Sequence, residues 1–229
     1  MIPWLLLDTA VTPDGRGELR LMRRGDEFSI NVGSNTLMNS RFSGSENALA
    51  DLVCDRLCDR RKCKILIGGL GMGFTLRAAL SRLGVDAQVL IAELVPAIVA
   101  WARGPMTHLF AGCLDDPRVS VCVTDVALAI AGRAASFDAI LLDVDNGPDG
   151  LTQGTNDKLY GLNGLHAARK SLRPGGILAV WSAAPNMKFA SRLCQAGFGV
   201  DEVQVRANGK RGGARHVIWL ATKPQGPRA

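Results

Sequence analysis

A chain of 229 residues with 47% hydrophobic and 21% charged side chains is long enough for one domain with a substantial core, and its composition is that of a globular protein. No apolar run approaches the ~20 residues a membrane-spanning helix needs, and the start, Met1-Ile2-Pro3-Trp4-Leu5, lacks the basic residues of a signal peptide, so the expected location is the cytoplasm, with no membrane partner. The net charge of +6 lies in scattered arginines and in the stretch Arg206–Lys223, and only 5% of residues are aromatic, so nucleic acid is not the expected partner.

The first forty residues read as short strands and tight turns. Gly17–Met22 and Phe28–Val32 alternate in polarity, with turns at Arg24-Gly25-Asp26 and Gly33-Ser34-Asn35. Ser45–Val53 takes on helical spacing, with Leu49, Leu52 and Val53 on one face. From residue 63 strands and helices alternate. Strands are expected at Lys64–Ile67, Gln88–Ala92, Val119–Val123, Asp138–Leu142 and Gly175–Trp181, with helices at about 73–83, 96–103 and 156–172. After a helix at about 187–197, Val200–Val205 and His216–Ala221 read as two strands joined by the turn Asn208–Gly213.

Near-uniform apolar strands separated by helices require a parallel sheet covered on both faces. The expected class is therefore α/β: a doubly wound, mostly parallel Rossmann-like sheet with a C-terminal antiparallel hairpin. The expected divisions are a small N-terminal β appendage (1–43), the main domain (44–222) and a flexible tail (223–229). The six cysteines (Cys54, Cys58, Cys63, Cys113, Cys122, Cys194) form no CxxC pair and have no histidines at metal spacing. No metal site is expected, and the thiols read as reduced and partly buried.

Gly68-Gly69-Leu70-Gly71-Met72-Gly73 follows the first parallel strand and opens a helix, where glycines permit φ > 0 and unpaired helix N–H groups meet a ligand. Three acids follow successive strands. Glu93 lies 20 residues after Gly73, where a carboxylate accepts from ribose hydroxyls. Asp125 follows the third strand at the cleft edge, and Asp143 the fourth. Phe74 stands where a dinucleotide fingerprint wants its last glycine, and no Walker lysine is present. The GxGxG loop and the terminal hairpin resemble the class I S-adenosylmethionine-dependent methyltransferase fold.

Within that fold the chain resembles the spermidine synthases (polyamine aminopropyltransferases) from about residue 17 to 181. The resemblance rests on the N-terminal hairpins, the helix near Glu46, the Gly68–Gly73 loop, Glu93, Thr124-Asp125-Val126, Phe137–Asp143 and Leu172–Gly176. It implies that S-adenosylmethionine or its decarboxylated form is held by Gly68, Gly69, Gly71, Gly73, Glu93, Leu94, Asp125, Val126 and Asp143. It also implies that Asp143 positions and deprotonates an attacking amine, with Tyr160 as a second catalytic candidate. Arg41, Glu46, Asp145, Asn146 and Trp181 are the expected acceptor-side residues.

Where that family carries Asp-Glu-Phe-x-Tyr-x-Glu, this chain has Ser40-Arg41-Phe42-Ser43-Gly44-Ser45-Glu46, and Asn146 stands at a second family acid. The lost acids and the added Arg41 weaken the electrostatic case for a diamine. The expectation is alkylation of a small-molecule acceptor, an amine among the candidates, with methyl transfer slightly favoured over aminopropyl transfer. The alternatives are polyamine aminopropyl transfer proper, a nucleic-acid methyltransferase and a non-catalytic cofactor-binding protein. The sequence leaves a homodimer open.

Overall fold

The apolar runs from residue 63 onward become the centre of a seven-stranded sheet. In the computed structural model, residues 2–12, 15, 17–57, 60–144, 147–148, 158–209 and 212–226 are described. Among these, β1 (Leu5–Val11), β2 (Glu18–Arg24), β3 (Glu27–Val32) and β4 (Asn35–Asn39) form an antiparallel sheet in the order β1-β2-β3-β4. The larger sheet holds β5 (Lys64–Gly68), β6 (Gln88–Glu93), β7 (Val119–Val123), β8 (Phe137–Leu142), β9 (Leu172–Ser182), β10 (Gly199–Arg206) and β11 (Arg215–Thr222). Its order is β10-β11-β9-β8-β5-β6-β7, with β11 antiparallel to both neighbours and the rest paired in parallel.

The period-2 alternation of strands sorts this sheet into two cores. Ile65, Ile67, Leu141, Ala179, Trp181 and Ile218 pack under α1 (Gly44–Leu57), α2 (Phe74–Arg82), α3 (Pro96–Arg103) and α4 (Thr107–Phe110). Leu66, Ile140, Leu142, Val180 and Trp219 pack under α5 (Val126–Ile130), α6 (Leu162–Ser171) and α7 (Met187–Gln195). The small sheet joins the first core through Leu19, Leu21, Phe28 and Ile30. The strand order reverses between β5 and β8, and open α/β sheets bind ligands at the carboxyl ends of such a pair.

Three elements differ from the sequence expectation. Residues 158–160 are helical but a bend at Gly161 separates them from α6, which ends at Ser171. Leu172 already pairs with Phe137, because Pro174 biases its predecessor toward extended backbone and β9 starts early. The tail expected from residue 223 begins pinned: Lys223 N donates to Gly176 O (2.8 Å) and Lys223 Nζ to Leu172 O (2.6 Å). Cys54, Cys63 and Cys113 are buried, and burial pushes the Cys63 thiol up to about 12. No helix among the described residues is long and apolar enough to cross a membrane.

At the amino end of β8, buried Asp138 accepts from Arg60 Nη1 (2.7 Å), Arg173 Nη1 (2.7 Å) and Lys64 N (2.8 Å). It ties the α1–β5 connection to β9. Asp138→Ala removes the shared acceptor of two part-exposed guanidinium groups and one amide, so a loss of about 2 kcal/mol is expected in urea denaturation. A loss below about 1 kcal/mol would show that this end of the sheet does not depend on the carboxylate.

Candidate active site

Each strand of the switch region delivers one polar group to the carboxyl edge. Between β5 and α2 the backbone turns sharply, with Gly69, Gly71 and Gly73 at φ +88°, +51° and +78°. A side chain is excluded at two of these positions by contact as well as by φ. A Cβ on Gly69 would overlap the Asp143 carbonyl, and one on Gly73 would lie 2.5 Å from the Phe110 ring. The loop is therefore pressed against the start of the segment after β8 and against α4.

Glu93, at the end of β6, holds this loop from beside it. One carboxylate oxygen accepts from Leu70 N (2.7 Å) and the other from Val95 N (2.8 Å), and the residue is 7% exposed. Burial pushes its carboxyl up, while these amides pull the other way. The Gly71 and Leu94 amides also favour its charged form, so Glu93 is held both by the glycine loop and by the chain that follows it. Asp125 caps α5 by accepting from Ala127 N (2.8 Å). Val126 is turned inward: a Cβ on Gly68 would lie 2.8 Å from its Cγ2. Leu94 (46% exposed) and Val123 (51%) present apolar faces at the same strand ends. A buried carboxylate, a helix N-terminus and two exposed apolar side chains are a donor and surface set that fits a nucleoside.

Asp143 continues the side-chain alternation of Ala139 and Leu141, which directs it to the α1 face. It is half-buried, and Thr75 Oγ1, in the first turn of α2, donates to its Oδ2 (2.6 Å). Burial pushes its carboxyl up, and the Thr75 hydrogen bond opposes that. Glu46, in the first turn of α1, stands over it. Burial, and after it the Asp143 charge, push the Glu46 carboxyl up to about 7. Ser45 Oγ donates to Glu46 Oε2 (2.8 Å) and lies 3.0 Å from His216 Nδ1. His216, on β11, meets Trp181 edge-on with ring centroids 4.8 Å apart. Trp181 and His216 share the Asp143 face of the sheet, because Trp181 pairs with Ile218 two residues away.

The structure thus brings together Gly68, Gly69, Gly71, Gly73, Glu93, Leu94, Asp125, Val126 and Asp143 around the loop, and Glu46 and Trp181 beside Asp143. Tyr160 is not brought there. Its ring is 1% exposed in the core of the opposite sheet face, edge-on to Phe189 at 5.5 Å. Arg41 is also placed elsewhere: it is exposed, pairs with Glu27 (3.3 Å) and lies over the Phe42 ring. Asp145 and Asn146 lie outside the described residues. Thr75, Ser45 and His216 were not expected from the sequence. A hydroxyl just after the glycine loop is a weak sign for Thr75, and His216 becomes visible only once β11 is set beside β9. A separate groove of about 710 Å³, lined by Ser43, Asn47, Phe74, Arg77 and Asp115 among others, opens beside α1 and α2.

Comparison with known proteins places the fold. No family model matches the chain. The polyamine aminopropyltransferase of Mycobacterium tuberculosis is 29% identical over 199 residues, covering 82% of this chain and 36% of the relative. That of Aeropyrum pernix is 30% identical over 115 residues, covering 50% of this chain and 35% of the relative. The match therefore covers only 35–42% of the length of these and other curated relatives. Among solved structures, spermidine synthase from Thermotoga maritima has a TM-score of 0.75 at 17% identity, covering 97% of this chain and 74% of that one. A spermidine synthase in complex with the transition state analogue AdoDATO has a TM-score of 0.73 at 16% identity, covering 97% and 73%. The fold is the spermidine synthase-like branch of the class I S-adenosylmethionine-dependent methyltransferase-like fold, as the sequence resemblance implied.

The Glu46 carboxyl generates a prediction independent of ligands. Its folded pKa of about 7 exceeds the ordinary 4.5, so the folded state binds more protons between those values and stability falls as pH rises through them. Glu46→Gln removes that cost. The variant should be more stable than the wild type by up to about 3 kcal/mol above pH 7, with the gain vanishing below about pH 4.5. Urea denaturation at the two pH values reads the difference, and equal gains at both would show that burial and the Asp143 charge do not lift the Glu46 carboxyl.

Proposed function

We propose that this chain transfers an aminopropyl group from decarboxylated S-adenosylmethionine to an amine. The observation that carries the reading is the pair of carboxylates, Glu46 and Asp143, set beside the glycine loop at the switch point of the sheet. Two acids that share a site hold about one proton between them near neutrality and attract a cation in its place. A protonated amine is such a cation. The curated relatives are named polyamine aminopropyltransferases, which supports the same choice.

The expectation of methyl transfer gives way on these grounds. The argument against a polyamine acceptor rested on the family acids lost at Ser40, Arg41 and Asn146 and on the added Arg41 charge, and that charge is directed to Glu27 and Phe42. A further departure, Gly44, has a steric account. A Cβ there would overlap the backbone nitrogen of Gly209, and Gly44 N donates to Ala207 O (2.9 Å). The β10–β11 turn therefore occupies the space that a tyrosine would fill, and the acceptor pocket is walled by backbone at that point.

The cofactor supplies an electrophilic carbon on a sulfonium sulfur. The loop and the N-terminus of α2 would hold its nucleoside side, Glu93 would accept from the ribose, and Asp125 with the Val126 backbone would bound the base. Asp143, fixed by Thr75, orients the amine and accepts its proton, with Trp181 as a wall. A carboxyl lifted toward neutrality is a better base for an ammonium than one at its ordinary value. Orientation of the two reactants supplies the larger part of the acceleration, up to about 7–11 kcal/mol.

Calorimetry with methylthioadenosine tests the cradle: Glu93→Ala should weaken binding by at least about tenfold, since it removes charged acceptors. Asp143→Asn should lower kcat by about 10²–10⁴-fold while leaving methylthioadenosine affinity nearly unchanged. Unchanged affinity in the first variant, or unchanged turnover in the second, contradicts the assignment of that residue.

A further inference from the structure

Ser45, Glu46 and His216 form a chain of hydrogen-bonding groups that amine binding alone does not need. Glu46 Oε2 lies 2.8 Å from Ser45 Oγ, and Ser45 Oγ lies 3.0 Å from His216 Nδ1. Ser45 is 1% exposed, whereas His216 is half-buried on the second strand from the sheet edge. The chain therefore runs from the carboxylate pair, through a buried hydroxyl, to a ring with access to solvent. A serine hydroxyl has one donor and two acceptor positions, so it can receive a proton on one side as it gives its own on the other.

We infer that Ser45 and His216 are the exit path for the proton lost by the acceptor nitrogen, taking it from Glu46 to solvent. The inference rests on the aminopropyl-transfer reading. An acceptor arriving as an ammonium must lose one proton to expose a lone pair. That pair forms the new C–N bond while the C–S bond breaks with its electrons moving to sulfur. The product nitrogen remains a cation, so each turnover leaves one proton behind in the carboxylate pair. Glu46 passes it to Ser45 Oγ as the Ser45 proton moves to Nδ1 of neutral His216. The imidazolium then gives its Nε2 proton to solvent, and exchange with water restores the starting tautomer.

The surroundings suit each member. Glu46 is faced by the Asp143 carboxylate from the end of β8 and by uncharged Thr75 from α2. His216 is faced by Ser45 from α1, by the Trp181 ring from β9 and by Val205 across β10, none of them charged. Burial holds the imidazole below its ordinary range, which keeps it neutral and ready to accept. Thr75 donates to Asp143 and not to Glu46's carboxylate, so it fixes the first acid while the second stays linked to Ser45.

The test measures transfer by the full chain from decarboxylated S-adenosylmethionine to putrescine across a range of pH. It compares the wild type with Ser45→Ala, His216→Gln and His216→Ala. His216→Gln keeps a polar group beside Ser45 but cannot take a proton. It should lower kcat about tenfold at neutral and alkaline pH, where the wild-type ring is neutral and accepts, with the difference shrinking on the acid side and KM for putrescine within about twofold, as a lost proton-transfer step does. Added imidazole should restore kcat in His216→Ala, an effect that repair of packing alone would not show. The imidazole nitrogen signals of His216 should also titrate differently in Glu46→Gln, a readout that needs no turnover. Transfer by the wild type, with kcat profiles unchanged in His216→Gln and Ser45→Ala, overturns the path and leaves the aminopropyl reading standing. Lack of imidazole rescue together with an unmoved His216 titration also overturns it. No transfer by the wild type removes the aminopropyl reading and the path together.

Discussion

Two neighbouring carboxylates withdrawn from water resist carrying two charges, and a proton on one of them or a cation beside them relieves the repulsion. In this chain the pair is Glu46 and Asp143, and the rest of the site is arranged around that constraint. Thr75 donates to one acid and Ser45 to the other, so each carboxylate is held by a hydroxyl and keeps acceptor capacity for a cation. A protonated amine satisfies it, and so does a single proton. The site can therefore exchange one for the other, as an alkyl transfer to nitrogen requires.

The pair exists because three separate elements end at the same edge. Strand alternation turns Asp143, Trp181 and His216 to the α1 face, and α1 begins over them with Ser45 and Glu46 in its first turn. The glycine loop is tied into the same framework. Glu93 holds Leu70 N, and the Gly69 turn is pressed against the Asp143 carbonyl. A change at the loop is thus felt at Asp143 through the backbone, and the small sheet adds a further contact where Met38 reaches Gly71.

The parallel sheet was legible because its strands are continuous apolar runs between glycine turns, a pattern that a doubly covered sheet imposes on sequence. Glu93, Asp125 and Asp143 stood out for a related reason: each lies within two residues of the end of such a run. Residues whose role depends on register or on distant packing were not. His216 reaches Ser45 across 171 positions, which no local pattern encodes. Tyr160 and Arg41 misled for the converse reason. A lone tyrosine near the loop after β8 suggested chemistry, but its ring fills the opposite core. Arg41 suggested repulsion of a diamine until Glu27, fourteen positions earlier in the chain, was seen to hold it. Gly44 looked like erosion of an acceptor motif, and the structure gives it a steric reason in the turn of the terminal hairpin.

The central claim is that the paired acids receive an amine and that the group transferred is aminopropyl. The most direct measurement is mass spectrometry of products after the chain is incubated with putrescine and, in separate vessels, decarboxylated S-adenosylmethionine or S-adenosylmethionine. The account predicts an aminopropylated amine and methylthioadenosine with the first donor and no alkylated amine with the second. A methylated product with S-adenosylmethionine, or no alkylated amine with either donor, would contradict it.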